Sequence, residues 1–187
     1  MHEFGYHGKG VFLTLTYANE HLPAYYSLRK KDLQDFWKRL RKHFTLSKIK
    51  YYASGEYGEQ TQRPHYHAVV FGINPLEYRA LQDEFNLWPW GHVDIGYSVD
   101  EKSASYTAKY AAKRLGTKAD YHPRERPFQV CSQGIGKQYA LDNAEELKKN
   151  CIWKKVNTKP RYPAIIAKCL TYVKMILKIS SKIIKNF

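Results

Sequence analysis

Residues 63–71 read RPHYHAVVF, and this alternating segment predicts a β-strand that is buried on at least one face. Successive side chains of a strand point to opposite faces, so His65 and His67 share one face and Tyr66 lies on the other. Same-face neighbours are about 6.5–7 Å apart at Cα, which lets two imidazoles bind one metal ion at about 2.0–2.2 Å. The pair alone is weak evidence, because two histidines also share a strand by chance.

The order of predicted elements favours an α+β fold. Alternating segments predict strands over residues 11–17, 49–54, 63–71 and 92–99, and apolar spacings of three and four predict helices over 28–44, 75–87 and about 103–115. Ser27 is the expected N-cap of the first helix. This order predicts a two-layer, ferredoxin/RRM-like antiparallel sheet with helices packed on it and the histidine strand at its centre. The last helix can then cross the face that carries the histidines.

The net charge of +14 is unevenly distributed along the 187 residues. Residues 1–147 carry 20 basic and 17 acidic side chains, whereas residues 148–187 carry 11 basic and no acidic ones. We therefore predict a main domain over 1–147 and a basic C-terminal tail over 148–187, which reads as an amphipathic helix. The tail could contact DNA phosphates, dock on the main domain or have no selected function.

Cysteine usage and hydropathy bear on the compartment. Three widely spaced cysteines without a Cys-x-x-Cys pair argue against a disulfide framework and favour a reducing compartment. The most apolar region, residues 164–184, is interrupted by four lysines, so we expect no membrane partner.

The predicted third helix carries a repeated pattern of tyrosine and lysine. Tyr106 and Tyr110 are four residues apart and so project from one helix face, and each is followed three residues later by a lysine, Lys109 or Lys113. In an isolated helix, the tyrosines would pack on the sheet while the lysines meet water. Combined with the histidine strand, the pattern has a second interpretation.

Paired histidines on a strand, followed about forty residues later by Tyr-x-x-Lys-Tyr-x-x-Lys on a helix, resemble the HUH endonucleases. Within that class, the chain is similar to the replication initiators of Microviridae, small single-stranded DNA phages, in their gokushovirus-like branch. The blocks that carry the resemblance are FLTLTY at 12–17, GEYG at 55–58, RPHYH at 63–67, YTAKYAAK at 106–113 and, more weakly, GIGKQY at 134–139. The N-terminal segment is shorter than is usual in that family.

The resemblance implies a metal-dependent tyrosine endonuclease and strand transferase. Tyr106 and Tyr110 would be nucleophiles that nick a single-stranded phage origin through a 5′-phosphotyrosine link, with Lys109 and Lys113 steadying the phosphate or lowering a phenol pKa. His65 and His67 would hold Mg²⁺ or Mn²⁺ with a carboxylate, for which Glu56 is preferred to Glu59 because it occupies the family's Gly-Glu-x-Gly position. The setting would be the host bacterial cytoplasm, with a host helicase and DNA polymerase as partners.

Two other functions fit the same residues. A plasmid initiator or a transposase would use the same chemistry, although paired tyrosines argue against a single-tyrosine transposase. A non-catalytic, RNA-recognition-like sheet that binds single strands would account for the fold and the aromatic residues, but it leaves the histidine pair without a role.

Overall fold

The structure is a computed structural model that describes residues 2–44, 49–96 and 121–146, with backbone alone for residues 2–4. We label the regular elements of this part of the chain in order. They are α1 (His2–His7), β1 (Gly10–Tyr17), α2 (Lys30–His43), β2 (Lys50–Tyr57), β3 (Pro64–Phe71), α3 (Pro75–Phe85), β4 (Gly91–Gly96), β5 (Phe128–Cys131) and α4 (Lys137–Asp142).

The strands form one antiparallel sheet in the order β4-β1-β3-β2-β5. The histidine strand β3 is central, between β1 and β2. The consecutive elements β1-α2-β2-β3-α3-β4 give the split arrangement of a ferredoxin-like fold, in which β3 lies between strands that run parallel to each other. The predicted fold class and the central place of the histidine strand are confirmed.

One face of the sheet forms the core with helices α2 and α3. The apolar side chains of β1 and β3 that alternate onto this face are fully buried, and they include Leu13, Leu15 and Tyr66. Helix α2 covers them with Phe36 and Trp37. The histidines alternate onto the opposite face, so the packed helices leave that face to the polar residues of the central strands.

A buried hydrogen-bond network fixes the start of α2 on the sheet. The Tyr17 hydroxyl donates to Asp32 Oδ2 over 2.8 Å and lies 2.8 Å from the Tyr66 hydroxyl. The Tyr66 hydroxyl in turn accepts from the backbone N–H of Arg29 over 2.9 Å. Burial raises the pKa of both phenols above the ordinary value, so Tyr66 is a structural residue although it stands between the two histidines in sequence.

Several predicted boundaries are wrong. Helix α2 begins at Lys30, because the Ser27 hydroxyl donates to the Leu28 carbonyl instead of capping a helix. Strand β2 continues to Tyr57, three residues beyond its predicted end at Ser54, because its later residues pair with β3. Strand β5 and the short helices α1 and α4 were not predicted at all.

Chain contacts divide the molecule into two compact units, Met1–Ile135 and Gly136–Phe187. The sheet belongs to the first unit, and the second is described over residues 136–146, where α4 begins after Gly136 in a left-handed conformation. The predicted helix at 103–115 and the tail at 148–187 lie outside the described residues, and the predicted division at residue 147 stays a prediction. Within the described residues, every helix is too short or too polar to cross a membrane.

Candidate metal centre

Three potential metal ligands converge on the sheet face opposite the helices. Glu56 of β2 is paired directly with His65 of β3, and His67 lies two residues further along β3. One ligand atom from each residue lies within 4.8 Å of the others, the single such group of three or more found among the described residues. Glu56 and His67 are buried, and His65 is half-buried.

The geometry around this group brings carboxylate and imidazole into contact. Glu56 Oε1 lies 3.5 Å from His67 Nε2. The rings of His65 and His67 are 4.9 Å apart at their centroids and inclined at 78°. Two nitrogen donors and one carboxylate oxygen therefore surround a small volume, a donor set that suits a divalent cation.

The outward nitrogens of both imidazoles already have partners. His67 Nδ1 lies 3.1 Å from the Thr14 hydroxyl, and His65 Nδ1 lies 3.2 Å from the Arg63 carbonyl oxygen. A carbonyl oxygen can only accept, so this contact places a proton on Nδ1 of His65 and leaves the Nε2 lone pair for a ligand. Metal-binding histidines are commonly oriented by such a bond to the second ring nitrogen.

Burial keeps His67 neutral. Together with the adjacent His65, it lowers the pKa of His67 to about 4. Neutral imidazole is the form that binds metal, so at neutral pH a cation need not displace a proton from His67.

The position of Glu56 depends on the glycine before it. Gly55 faces Leu28 and β5, and a Cβ built on Gly55 would lie 2.9 Å from Cζ of the Phe128 ring. Glycine thus lets β5 and the core pack closely at the strand position that precedes Glu56. Glu59, the other carboxylate considered, lies exposed in the turn after β2 and outside the group of three.

The proposed nucleophiles cannot be placed beside this group. Tyr106, Tyr110, Lys109 and Lys113 lie outside the described residues, so their position stays a prediction. A residue that sequence reasoning missed is Thr14, which is paired with His67 across β1 and β3. Its signal was its place in the block at 12–17, where it alternates with the buried Leu13 and Leu15.

The fold and this site define a ferredoxin-like protein with a candidate His-His-Glu metal centre on its central strands. The chain belongs to the family of replication-associated proteins described by the name ORF2, whose profile matches residues 10–115. The matched range includes the three candidate ligands as well as the repeated tyrosine and lysine pattern at 106–113. The predicted resemblance to phage replication proteins is confirmed.

Individual relatives come from three phages. The chain is 38% identical over 145 residues to the replication-associated protein VP4 of Bdellovibrio phage phiMH2K, covering 65% of this chain and 45% of the relative. It is 35% identical over 160 residues to the replication-associated protein ORF2 of Spiroplasma virus 4, covering 74% and 49%. For the replication-associated protein ORF4 of Chlamydia phage 1, the values are 29% over 156 residues, 71% and 39%. The chain thus matches less than half of the length of each relative.

Proposed function

We propose that this protein is an initiator nuclease that nicks single-stranded DNA at a phage origin, becomes joined to the DNA through a tyrosine and later rejoins the strand. The observation that carries the proposal is the convergence of Glu56, His65 and His67 on the central strands. It lies inside the range that matches a family of replication-associated proteins. A sheet that merely bound single strands would not need a carboxylate and two oriented imidazoles around one volume.

The three residues fit a divalent cation. Glu56 would offer a carboxylate oxygen, and each histidine would offer Nε2, because Nδ1 already has a partner. We propose Mg²⁺ or Mn²⁺, which accept this mixture of oxygen and nitrogen donors. When bound, such an ion polarises a non-bridging oxygen of the scissile phosphate and offsets the charge that develops in the transition state.

The protein's own groups would carry out the exchange of bonds. The phenol oxygen of Tyr106 or Tyr110 forms a bond to phosphorus while the bond from phosphorus to the 3′ oxygen breaks. The phenol loses its proton and the leaving oxygen gains one, which yields a 5′-phosphotyrosine and a free 3′-hydroxyl. A phenol has a pKa of about 10, so Lys109 or Lys113 nearby would favour the reactive phenolate.

Two tyrosines would allow the strand to be cut twice and closed once. The free 3′-hydroxyl can be extended by a host polymerase, with a host helicase separating the strands in the bacterial cytoplasm. The second phenol then attacks the regenerated origin, and the newly freed hydroxyl displaces the first tyrosine. Each exchange conserves one phosphoester bond, so no ATP is needed for joining.

The direct test is covalent attachment. A labelled single-stranded oligonucleotide carrying the phage origin should become bound to the wild-type protein in Mg²⁺ or Mn²⁺ and should stay bound on a denaturing gel. Tyr106→Phe with Tyr110→Phe should abolish the adduct, and so should His65→Ala with His67→Ala. An adduct that survives the double tyrosine change would overturn the assigned nucleophiles, whereas binding without any adduct would favour a non-catalytic single-strand binder.

A further inference from the structure

A second surface feature, outside the candidate metal centre, is an open groove of about 510 Å³ in the first unit of the chain. Its lining comes from three separate loops. The lining residues are Tyr25, Tyr26, Thr61, Gln62, Pro123 and Arg124. The sequence analysis assigned none of them a role.

Two neighbouring tyrosines form the most exposed wall. Tyr25 is 70% exposed and Tyr26 is 53% exposed, so two large rings lie side by side in the chain and open to solvent. Both have a left-handed backbone, with φ of 57° and 54°. Bulky residues rarely adopt this conformation, and where they do, it tends to mark a site that presents side chains to a ligand.

The surrounding hydrogen bonds hold the groove walls together. The Ser27 hydroxyl, next to the tyrosines, accepts from the backbone N–H of Glu125 over 2.9 Å. The Glu125 carboxylate accepts from the backbone N–H of Lys30 over 3.0 Å, and its carbonyl accepts from the Tyr57 hydroxyl over 2.7 Å. The loop with the tyrosines and the loop with Arg124 are therefore fixed to each other before any ligand arrives.

The chemistry of the lining is that of a nucleotide site. Arg124 supplies a cation, and its guanidinium is held 4.5 Å from the ring centroid of the buried Tyr57. No lining residue is acidic, while Thr61 and Gln62 supply a hydroxyl and an amide. Flat exposed rings, a fixed positive charge and neutral hydrogen-bonding groups match the flat face, the phosphate and the polar edge of an unpaired nucleotide.

The groove also lies at the same end of the sheet as the candidate metal centre. Thr61 and Gln62 belong to the turn that joins β2 to β3, and this turn begins two residues after Glu56, or about 7 Å along the strand. From these observations we propose that the groove binds an unpaired base of the single-stranded DNA substrate by stacking on Tyr25 or Tyr26, with Arg124 contacting the backbone phosphate. The proposal rests on the proposed function for the identity of its ligand.

The test measures equilibrium binding of a fluorescent single-stranded thymine oligonucleotide to the full chain in a metal chelator, so that no cleavage occurs. Tyr25→Ala with Tyr26→Ala should weaken binding by about 5- to 100-fold, the range expected for losing one stacked base. Tyr25→Phe with Tyr26→Phe should bind within about twofold of wild type, because the rings remain. Tyr6→Ala is the matched control, since Tyr6 is 44% exposed and lies in α1, at the opposite end of β1 from the groove.

Unchanged affinity of the double alanine variant, with an unchanged melting temperature, would overturn the proposal. A second measurement places the DNA directly: ultraviolet cross-linking of a bromouracil oligonucleotide should modify Tyr25 or Tyr26, and cross-links confined to peptides away from the groove would contradict it. Repeating the binding with His65→Ala and His67→Ala separates the two proposals. Ring-dependent binding without any covalent adduct would retain the groove and remove the nuclease, and an adduct without ring dependence would do the reverse.

Discussion

The Thr14 hydroxyl lies 3.1 Å from Nδ1 of His67, across the pair of strands β1 and β3. If His67 binds a cation through Nε2, Nδ1 carries the proton and Thr14 accepts it. Thr14 is thus a positioning residue, which fixes the ring and its tautomer without contacting the cation. This relationship makes the outer contacts of the candidate centre testable apart from its ligands.

Thr14→Val should weaken Mn²⁺ binding by about 10- to 100-fold, because the nearly isosteric side chain removes the acceptor of the imidazole proton. Isothermal titration calorimetry of the full chain measures this effect directly, and Thr14→Ser should restore most of the affinity. Thr16→Val is a matched control, since Thr16 lies on the same strand face but its hydroxyl donates to the His92 carbonyl. Equal affinities for Thr14→Val and wild type would show that His67 needs no such partner.

The two candidate carboxylates can be separated in the same way. Glu56→Gln should lower Mn²⁺ affinity by about 100-fold or more, since loss of an outer partner alone costs about 10- to 100-fold. Glu59→Gln should leave the affinity unchanged, because Glu59 is exposed in the turn and outside the group of three. The reverse result would move the third ligand to the turn.

The stability of the metal-free protein should depend on His67 as the pH falls. The folded protein protonates His67 at a pKa of about 4, whereas an unfolded histidine does so near its ordinary value of about 6.5. Between these values the unfolded chain takes up a proton that the folded chain refuses, so stability is lost as the pH falls from about 6.5 to about 4. From pH 7.5 to pH 5, the loss should be about 1–2 kcal/mol in urea unfolding.

His67→Gln isolates this contribution from that of the other titrating groups. Its stability should fall less over the same interval, by about the same 1–2 kcal/mol. If the wild type and the variant lose stability in parallel, His67 is not held neutral by burial.

The buried network at the start of α2 should contribute to folding rather than to chemistry. Tyr17→Phe leaves the buried Asp32 carboxylate without the hydroxyl that donates to it over 2.8 Å. We expect the free energy of unfolding to fall by about 1–3 kcal/mol, with metal affinity unchanged. Tyr26→Phe, at an exposed position, should change it by less than about 0.5 kcal/mol. A Tyr17→Phe protein as stable as wild type would mean that solvent or a rearranged side chain replaces the bond.

The sequence predicted the central layer of the fold because its strands and helices have regular periods. The alternation at 63–71 placed His65 and His67 on one face, and the order of elements gave the ferredoxin-like arrangement. Glu56 came from the resemblance, since periodicity could not show that β2 would continue through it. The choice became physical once β2 was seen to pair Glu56 with His65.

Other features could not be predicted because they depend on contacts between distant segments. Strand β5 has four residues and is defined by its pairing with β2, which no local period indicates. The contact of Thr14 with His67 joins residues 53 positions apart, so it required the strand register. The exposed tyrosines at 25 and 26 likewise gave no signal, because left-handed backbone in bulky residues is imposed by surrounding structure.

The most direct test of the central claim is mass spectrometry of the protein after reaction with the origin oligonucleotide in Mg²⁺ or Mn²⁺. Trypsin cuts after Lys102, Lys109 and Lys113, so Tyr106 and Tyr110 fall on separate peptides, residues 103–109 and 110–113. We expect a nucleotide phosphate on one of these two peptides, and none on either when Glu56→Gln, His65→Ala and His67→Ala are combined. A modification on any other tyrosine, or one that persists in that triple variant, would contradict a metal-assisted attack by Tyr106 or Tyr110.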